Sequence, residues 1–158
     1  MRVTQWGEFG IHCAAYLAER AKHGDLRVSA PEIAESQGIA LQYAQQILQR
    51  LRKGAVVESE RGPRGGYRLA RPADEISLFD ILKAAEGSTF EVMCESKPLD
   101  EQRCSESTIC NLRVFWHEFR ESVDSFLRAR TLASLLEADS SSSIVPMPSA
   151  QADSTIEA

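Results

Sequence analysis

The sequence predicts a mainly α-helical protein with a small β wing and one additional long helix. Three stretches predict it. In residues 41–53, Leu41, Ala44, Ile47, Leu48 and Leu51 recur at helical spacing and mark a core-facing stripe. A hairpin pattern follows directly: Val56, Val57 and Ser59, then the turn Arg61-Gly-Pro-Arg-Gly-Gly-Tyr67, then Tyr67 to Leu69 running back. Further on, Leu112, Phe115, Trp116, Phe119, Val123, Phe126 and Leu127 recur at three and four. A polar-faced helix followed at once by a basic hairpin describes a winged helix-turn-helix.

Residues 4–21 read as the first helix, with Trp6, Phe9, Gly10, Cys13, Tyr16 and Leu17 on its apolar side. Residues 22–28 form a loop, ending in a short strand at 26–28 that can pair with the wing. Ser29 and Glu32 have the capping-box spacing, and Gly38 closes the short helix between them and the turn. Pro72 marks a break. Ser77 caps a helix whose buried side is Leu78, Ile81, Leu82 and Ala85, and Gly87 ends it. Residues 90–109 show no sustained periodicity. One long helix is expected from about 109 to 136, and a disordered tail of serine, proline and small residues after it. The expected organisation is a reading domain over 1–87, a cysteine-bearing loop over 88–110, a dimerisation helix over 109–137 and a tail over 138–158.

The chain has 158 residues, enough for one domain with an attached arm, and 43% apolar residues suit a buried core. A net charge of −5 at first argues against nucleic acid, but its distribution reverses that impression. Residues 1–72 hold 11 Lys+Arg against 7 Asp+Glu, whereas residues 73–158 hold 7 against 16. A basic front and an acidic back suit one face that meets phosphate. No apolar h-region follows Met1, and no apolar run approaches the ~18 residues of a membrane helix. A cytoplasmic protein without a membrane partner is therefore expected.

The polar face of the 41–53 helix carries Gln42, Tyr43, Gln45, Gln46, Gln49 and Arg50. A glutamine amide can meet adenine through two hydrogen bonds in the major groove. Gln42, Tyr43, Gln45 and Gln46 are expected to read base edges of a double-stranded DNA operator. Arg50, Arg61 and Arg64 are expected to meet phosphate or the minor groove. The aromatic stripe of the long helix outruns what a small core needs, which points to an interface, most economically with a second copy of the chain. A homodimer would set two reading helices one DNA turn apart. No nucleophile–base pair is visible, and the Gly62–Gly66 turn lacks the following helix of a cofactor loop. Neither an enzyme nor a small-molecule substrate is expected.

Structural disulfides are rare in the cytosol, so the four cysteines need another explanation. Cys13 lies in the apolar stripe of the first helix and reads as a small buried hydrophobe. Cys94, Cys104 and Cys110 are separated by nine and five residues on the irregular stretch. They can hold an iron–sulfur cluster, act as a thiol switch, hold zinc, or do nothing. Zinc sites show paired cysteines two to four apart, which are absent here, whereas wide spacing suits a cluster. On the first helix Glu8 and His12 stand four apart and project from one side. They read either as a solvated face or as a carboxylate–imidazole ligand pair.

Taken together, Met1-Arg-Val-Thr4, Leu51-Arg-Lys53, the wing sequence 61–67 and three cysteines before a long helix resemble the iron–sulfur transcription regulators typified by IscR, NsrR, RirA and RsrR. The resemblance covers residues 1 to about 136. It implies a homodimeric winged-helix regulator, expected to be a repressor, whose cluster alters DNA affinity in response to redox state, nitric oxide or iron supply. It also implies that the first helix of one subunit completes the cluster of the other. Glu8 with His12 resembles the branch holding a 2Fe–2S cluster, and three cysteines with an acid near position 8 the branch holding a 4Fe–4S cluster. The expected ligands are thus Cys94, Cys104, Cys110, Glu8 and His12, with a 2Fe–2S cluster placed ahead of a 4Fe–4S one. Arg113 stands where IscR has a histidine, and His117 lies seven residues beyond Cys110. The alternative is a cluster-free winged-helix regulator controlled by thiol oxidation or a partner protein.

Overall fold

The structure, a computed structural model, describes residues 3–24, 27–62, 65–89 and 110–139. Cys94, Cys104 and Arg64, most of the expected cysteine loop and the tail after 139 lie outside the described residues.

Helix α1 spans Gln5–Lys22 and starts on Thr4, whose side chain accepts from the Trp6 N–H. Helix α2, Ala30–Gln37, starts on Ser29, which accepts from Glu32 N, and ends at Gly38 with φ 63°. Left-handed backbone of that kind favours glycine. The Glu32 side chain does not complete the expected capping box. Its carboxylate goes to α1 instead, accepting from the Tyr16 hydroxyl at 3.2 Å and pairing with Arg20 at 2.9 Å.

Helix α3 spans Leu41–Lys53 and buries Ala44, Ile47, Leu48 and Leu51 as the spacing predicts. Leu41 departs from expectation: it is 43% exposed, because the first residue of the helix projects beyond the packed surface. The wing consists of β1, Val57–Glu60, antiparallel to β2, Gly66–Leu69, with Ser59 opposite Tyr67. Val28 bridges to Tyr67 as a third edge, the contact expected of the strand before α2. Helix α4, Leu78–Glu86, opens with a complete capping box between Ser77 and Asp80. One core gathers Cys13 and Leu17 from α1, Ile33 from α2, Ile47 and Leu51 from α3, Val57 from the wing and Ile81 from α4. These elements form a winged helix-turn-helix.

The expected single C-terminal helix is two. Helix α5 covers Asn111–Arg128 and helix α6 covers Leu132–Asp139. The break has a local and a tertiary cause. Thr131 and Ser134 cap each other, Ser134 N donating to Thr131 Oγ1 and Thr131 N to Ser134 Oγ, each at 3.1 Å. The backbone between the helices then pairs with the entry to α4, Leu78 N to Arg130 O and Leu132 N to Ile76 O, both at 2.8 Å. That pairing sinks Leu132 completely into the core.

Candidate nucleic-acid interface and candidate ligand face

Helix α3 sorts its polar residues onto distinct sides. Gln42, Gln45, Gln46 and Gln49 are exposed. Gln45, Gln49 and Arg52 form one wall of an open cleft of about 350 Å³, and Ser59, Glu60 and Tyr67 of the wing form the other. Arg61 also lines the cleft and is exposed. Amides and hydroxyls along a cleft between a helix and a β-ribbon can bond to base edges, with guanidinium groups beside them for phosphate.

Tyr43 and Arg50, seven residues apart, lie two turns apart on the flank that faces α1. Tyr43 is half-buried; its ring meets Trp6 edge-to-face at 4.7 Å and Phe9 at 5.8 Å. Arg50 Nη1 donates to the Ala85 carbonyl at 2.7 Å, and its guanidinium lies 3.9 Å from the centre of the Trp6 ring. The structure thus engages both side chains within the protein.

The wing is less basic than its arginines suggest. Arg68 pairs with Glu58, its cross-strand neighbour, and Arg27 reaches across to Glu60. Gly66 permits the close crossing of the edge strand, since a Cβ there would sit 2.7 Å from Val28 O. The sequence pattern did not assign Arg52, Ser59 or Tyr67 to this cleft. The signal for Arg52 was present, because Gln42, Gln45, Gln49 and Arg52 recur at three, four and three. For Ser59 and Tyr67 only the strand pairing supplies it.

Glu8 and His12 lie exposed one turn apart on α1, with the His12 ring 6.3 Å from that of Phe9. Cys13 is fully buried beside them. Burial pushes its thiol up to about 12, so it stays protonated and serves as core. Cys110 is a free, half-exposed thiol at the N-cap of α5. Among the described residues no three His, Cys, Asp or Glu side chains converge as a metal site. Thiolates are the usual ligands of an iron–sulfur cluster, and imidazole replaces them in some. Among the described residues Cys110 and His12 are of these donor types.

Beyond the reading domain, α5 exposes Leu112, Val114, Phe115, Phe119 and Phe126 by 41–60%. Its other side rests on α4 through Leu127, Phe79 and Leu82. No helix among the described residues is long and apolar enough to cross a membrane.

A winged helix-turn-helix whose reading helix and wing enclose a polar cleft is the architecture of DNA-binding regulators. The comparison with known sequences is specific: the family described as "Rrf2: Iron-dependent Transcriptional regulator" matches residues 3–138. The chain belongs to the Rrf2 family of transcriptional regulators. It is 33% identical over 136 residues to the HTH-type transcriptional regulator IscR of Erwinia tasmaniensis, spanning 86% of this chain and 79% of that relative. The solved structure of T. potens IscR matches with a TM-score of 0.67 at 27% identity, covering 91% of this chain and 93% of that one. CymR (YrzC), described as the global cysteine regulator of B. subtilis, matches with a TM-score of 0.65 at 28% identity, covering 87% and 97%.

Proposed function

We propose that this regulator is a cytoplasmic, non-enzymatic homodimer that binds a double-stranded DNA operator, with an affinity set by an iron–sulfur cluster. The observation that carries the DNA reading is the cleft between α3 and the wing, where Gln45 and Gln49 face Ser59 and Tyr67 with Arg52 and Arg61 beside them. Gln42, Gln45, Gln46 and Gln49 read base edges. Arg52, Arg61 and Arg64 neutralise phosphate or enter the minor groove.

The exposed aromatic stripe of α5 supports a second copy as the partner, since an apolar surface of that length is costly in water. Four ligands drawn from Cys94, Cys104 and Cys110, on the stretch leading into α5, and from Glu8 and His12 on α1 would hold the cluster. When bound, it supplies a centre responsive to redox state, nitric oxide or iron supply. Glu8 and His12 favour a 2Fe–2S cluster over a 4Fe–4S one, because they offer two non-thiolate ligands on one exposed face.

The likeness to a structure described as a cysteine regulator favours a second reading, in which the same fold responds through thiols or a partner protein. One preparation separates the two. Anaerobically purified protein is analysed for iron and sulfide, examined by Mössbauer spectroscopy, and passed through selection on a random DNA library. About two irons and two sulfides per subunit with an enriched operator support the first reading. An enriched operator without iron after attempted reconstitution supports the second. No enrichment in either state removes the DNA reading.

A further inference from the structure

We propose that Arg50 is a positioning residue for DNA recognition rather than a phosphate contact. It fixes the reading face of α3 to a rigid body made by the start of α1 and the end of α4. This inference rests on the DNA-binding reading above and goes beyond it.

The rigid body is visible in close contacts. Glu86 Oε1, at the end of α4, accepts from Thr4 N at 2.8 Å and from Gly7 N at 3.1 Å. It thereby satisfies N–H groups at the start of α1 that have no intrahelical acceptor, and its negative charge sits at the positive end of that helix. Gly7 and Gly10, one turn apart, let the two helices touch. A Cβ at Gly7 would meet Glu86 Oε1 at 2.3 Å, and one at Gly10 would meet Ala85 Cβ at 2.9 Å.

Arg50 ties α3 to that body at two points. Its Nη1 donates to Ala85 O, one of the last carbonyls of α4, which the helix itself leaves without a donor. A cation at that helix end is also favoured by the helix dipole. The face of the same guanidinium covers Trp6, in the first turn of α1. Arg50 stays exposed, but these two contacts hold its guanidinium on the flank of α3 away from Gln45 and Arg52. Glu8 stands in the same first turn of α1, so a displacement there reaches the glutamine face through Trp6 and Arg50.

The test compares Arg50→Gln with Arg52→Gln on the selected operator and on random DNA across a salt series, well below the melting temperature. Arg52→Gln should flatten the plot of log affinity against log salt by about 0.9, the loss of one phosphate contact. Arg50→Gln should leave that slope unchanged yet lose roughly tenfold or more of the operator-over-random preference. Arg50→Lys, which keeps a donor and a cation over the ring, should restore most of the preference. In a Trp116→Phe background, Arg50→Gln should shift the Trp6 emission.

A slope reduced by about 0.9 in Arg50→Gln, with Trp6 emission unmoved, overturns the inference while leaving the DNA reading intact. Wild-type protein without any operator preference removes the DNA reading, and this inference with it. The wild-type control therefore separates the two failures.

Discussion

The carboxylate of Asp124, buried on α5, accepts a hydrogen bond from the hydroxyl of Thr89, thirty-five positions earlier in the chain. Thr89 is the last described residue before the cysteine-bearing stretch, and Asp124 lies on the helix that follows it. The bond ties the residue before that stretch to the body of the helix after it. Thr89→Val keeps the shape but leaves a buried carboxylate without its donor, which costs about 1–3 kcal/mol. Urea unfolding should show that loss, and Asp124→Asn in the Thr89→Val background should recover part of it. Equal stability of wild type and Thr89→Val would show the bond to be dispensable.

Gly7→Ala should lower stability by about 1–3 kcal/mol, the usual cost of forcing an extra methyl into packed surroundings. Its methyl would meet Leu82 Cδ2 at 2.9 Å as well as the Glu86 carboxylate. Chemical denaturation of the single variant measures the cost directly. A stabilised Gly7→Ala, as expected for an unobstructed helix position, would contradict the observed crossing of α1 and α4.

The two described cysteines should react very differently. With its thiol raised to about 12 by burial, Cys13 at pH 8 is about one part in ten thousand thiolate. Iodoacetamide treatment of metal-free protein at pH 8, followed by peptide mapping, should label Cys110 and spare Cys13 until denaturant is added. Labelling of native Cys13 at the rate of Cys110 would mean that the α1 core opens readily.

Asp80 offers a pH test. Partial burial raises its pKa, but the bonds from Ser77 and the nearby Arg71 outweigh this and hold it below the ordinary aspartate value. A carboxyl depressed on folding adds stability above its unfolded pKa and loses it as pH falls through the folded one. Asp80→Asn should therefore be less stable than wild type at neutral pH, and the gap should close in the acid range below the ordinary aspartate pKa. Paired thermal melts from pH 7 downward measure it. A gap that stays constant through the acid range would assign the loss to packing rather than charge.

The dimer reading predicts that Phe119→Glu yields a monomer. Phe119 is 41% exposed on α5 and packs among Phe115 and Trp116 of the same helix. A carboxylate there would be buried unpaired in a two-fold interface, a strongly unfavourable exchange. Sedimentation velocity should show a dimer for wild type and a monomer for the variant. A wild-type monomer would leave the stripe to another partner.

The sequence alone determined the reading unit, because its signals are local. Helical spacing fixed Ile47, Leu48 and Leu51 as core, cap chemistry set the start of α2 at Ser29 and of α4 at Ser77, and the glycine-rich turn placed the hairpin. It also identified Cys13 as core, since a cysteine within an apolar stripe has no competing role. Packing alone settled the roles of residues whose neighbours are distant in sequence. Nothing local distinguishes Arg50 from Arg52; the carbonyl of Ala85 and the ring of Trp6 claim the first, while the second stays beside the cleft. Glu32 caps nothing, because Tyr16 and Arg20 outbid its own backbone. The end of α5 was likewise hidden, since its amphipathic pattern runs almost unbroken into α6. Pairing of residues 130–132 with residues 76–78, added to the Thr131–Ser134 caps, makes a break there more stable than a continued helix. Periodicity reports which face of an element is buried, but the choice of partner across space is made by geometry that periodicity does not encode.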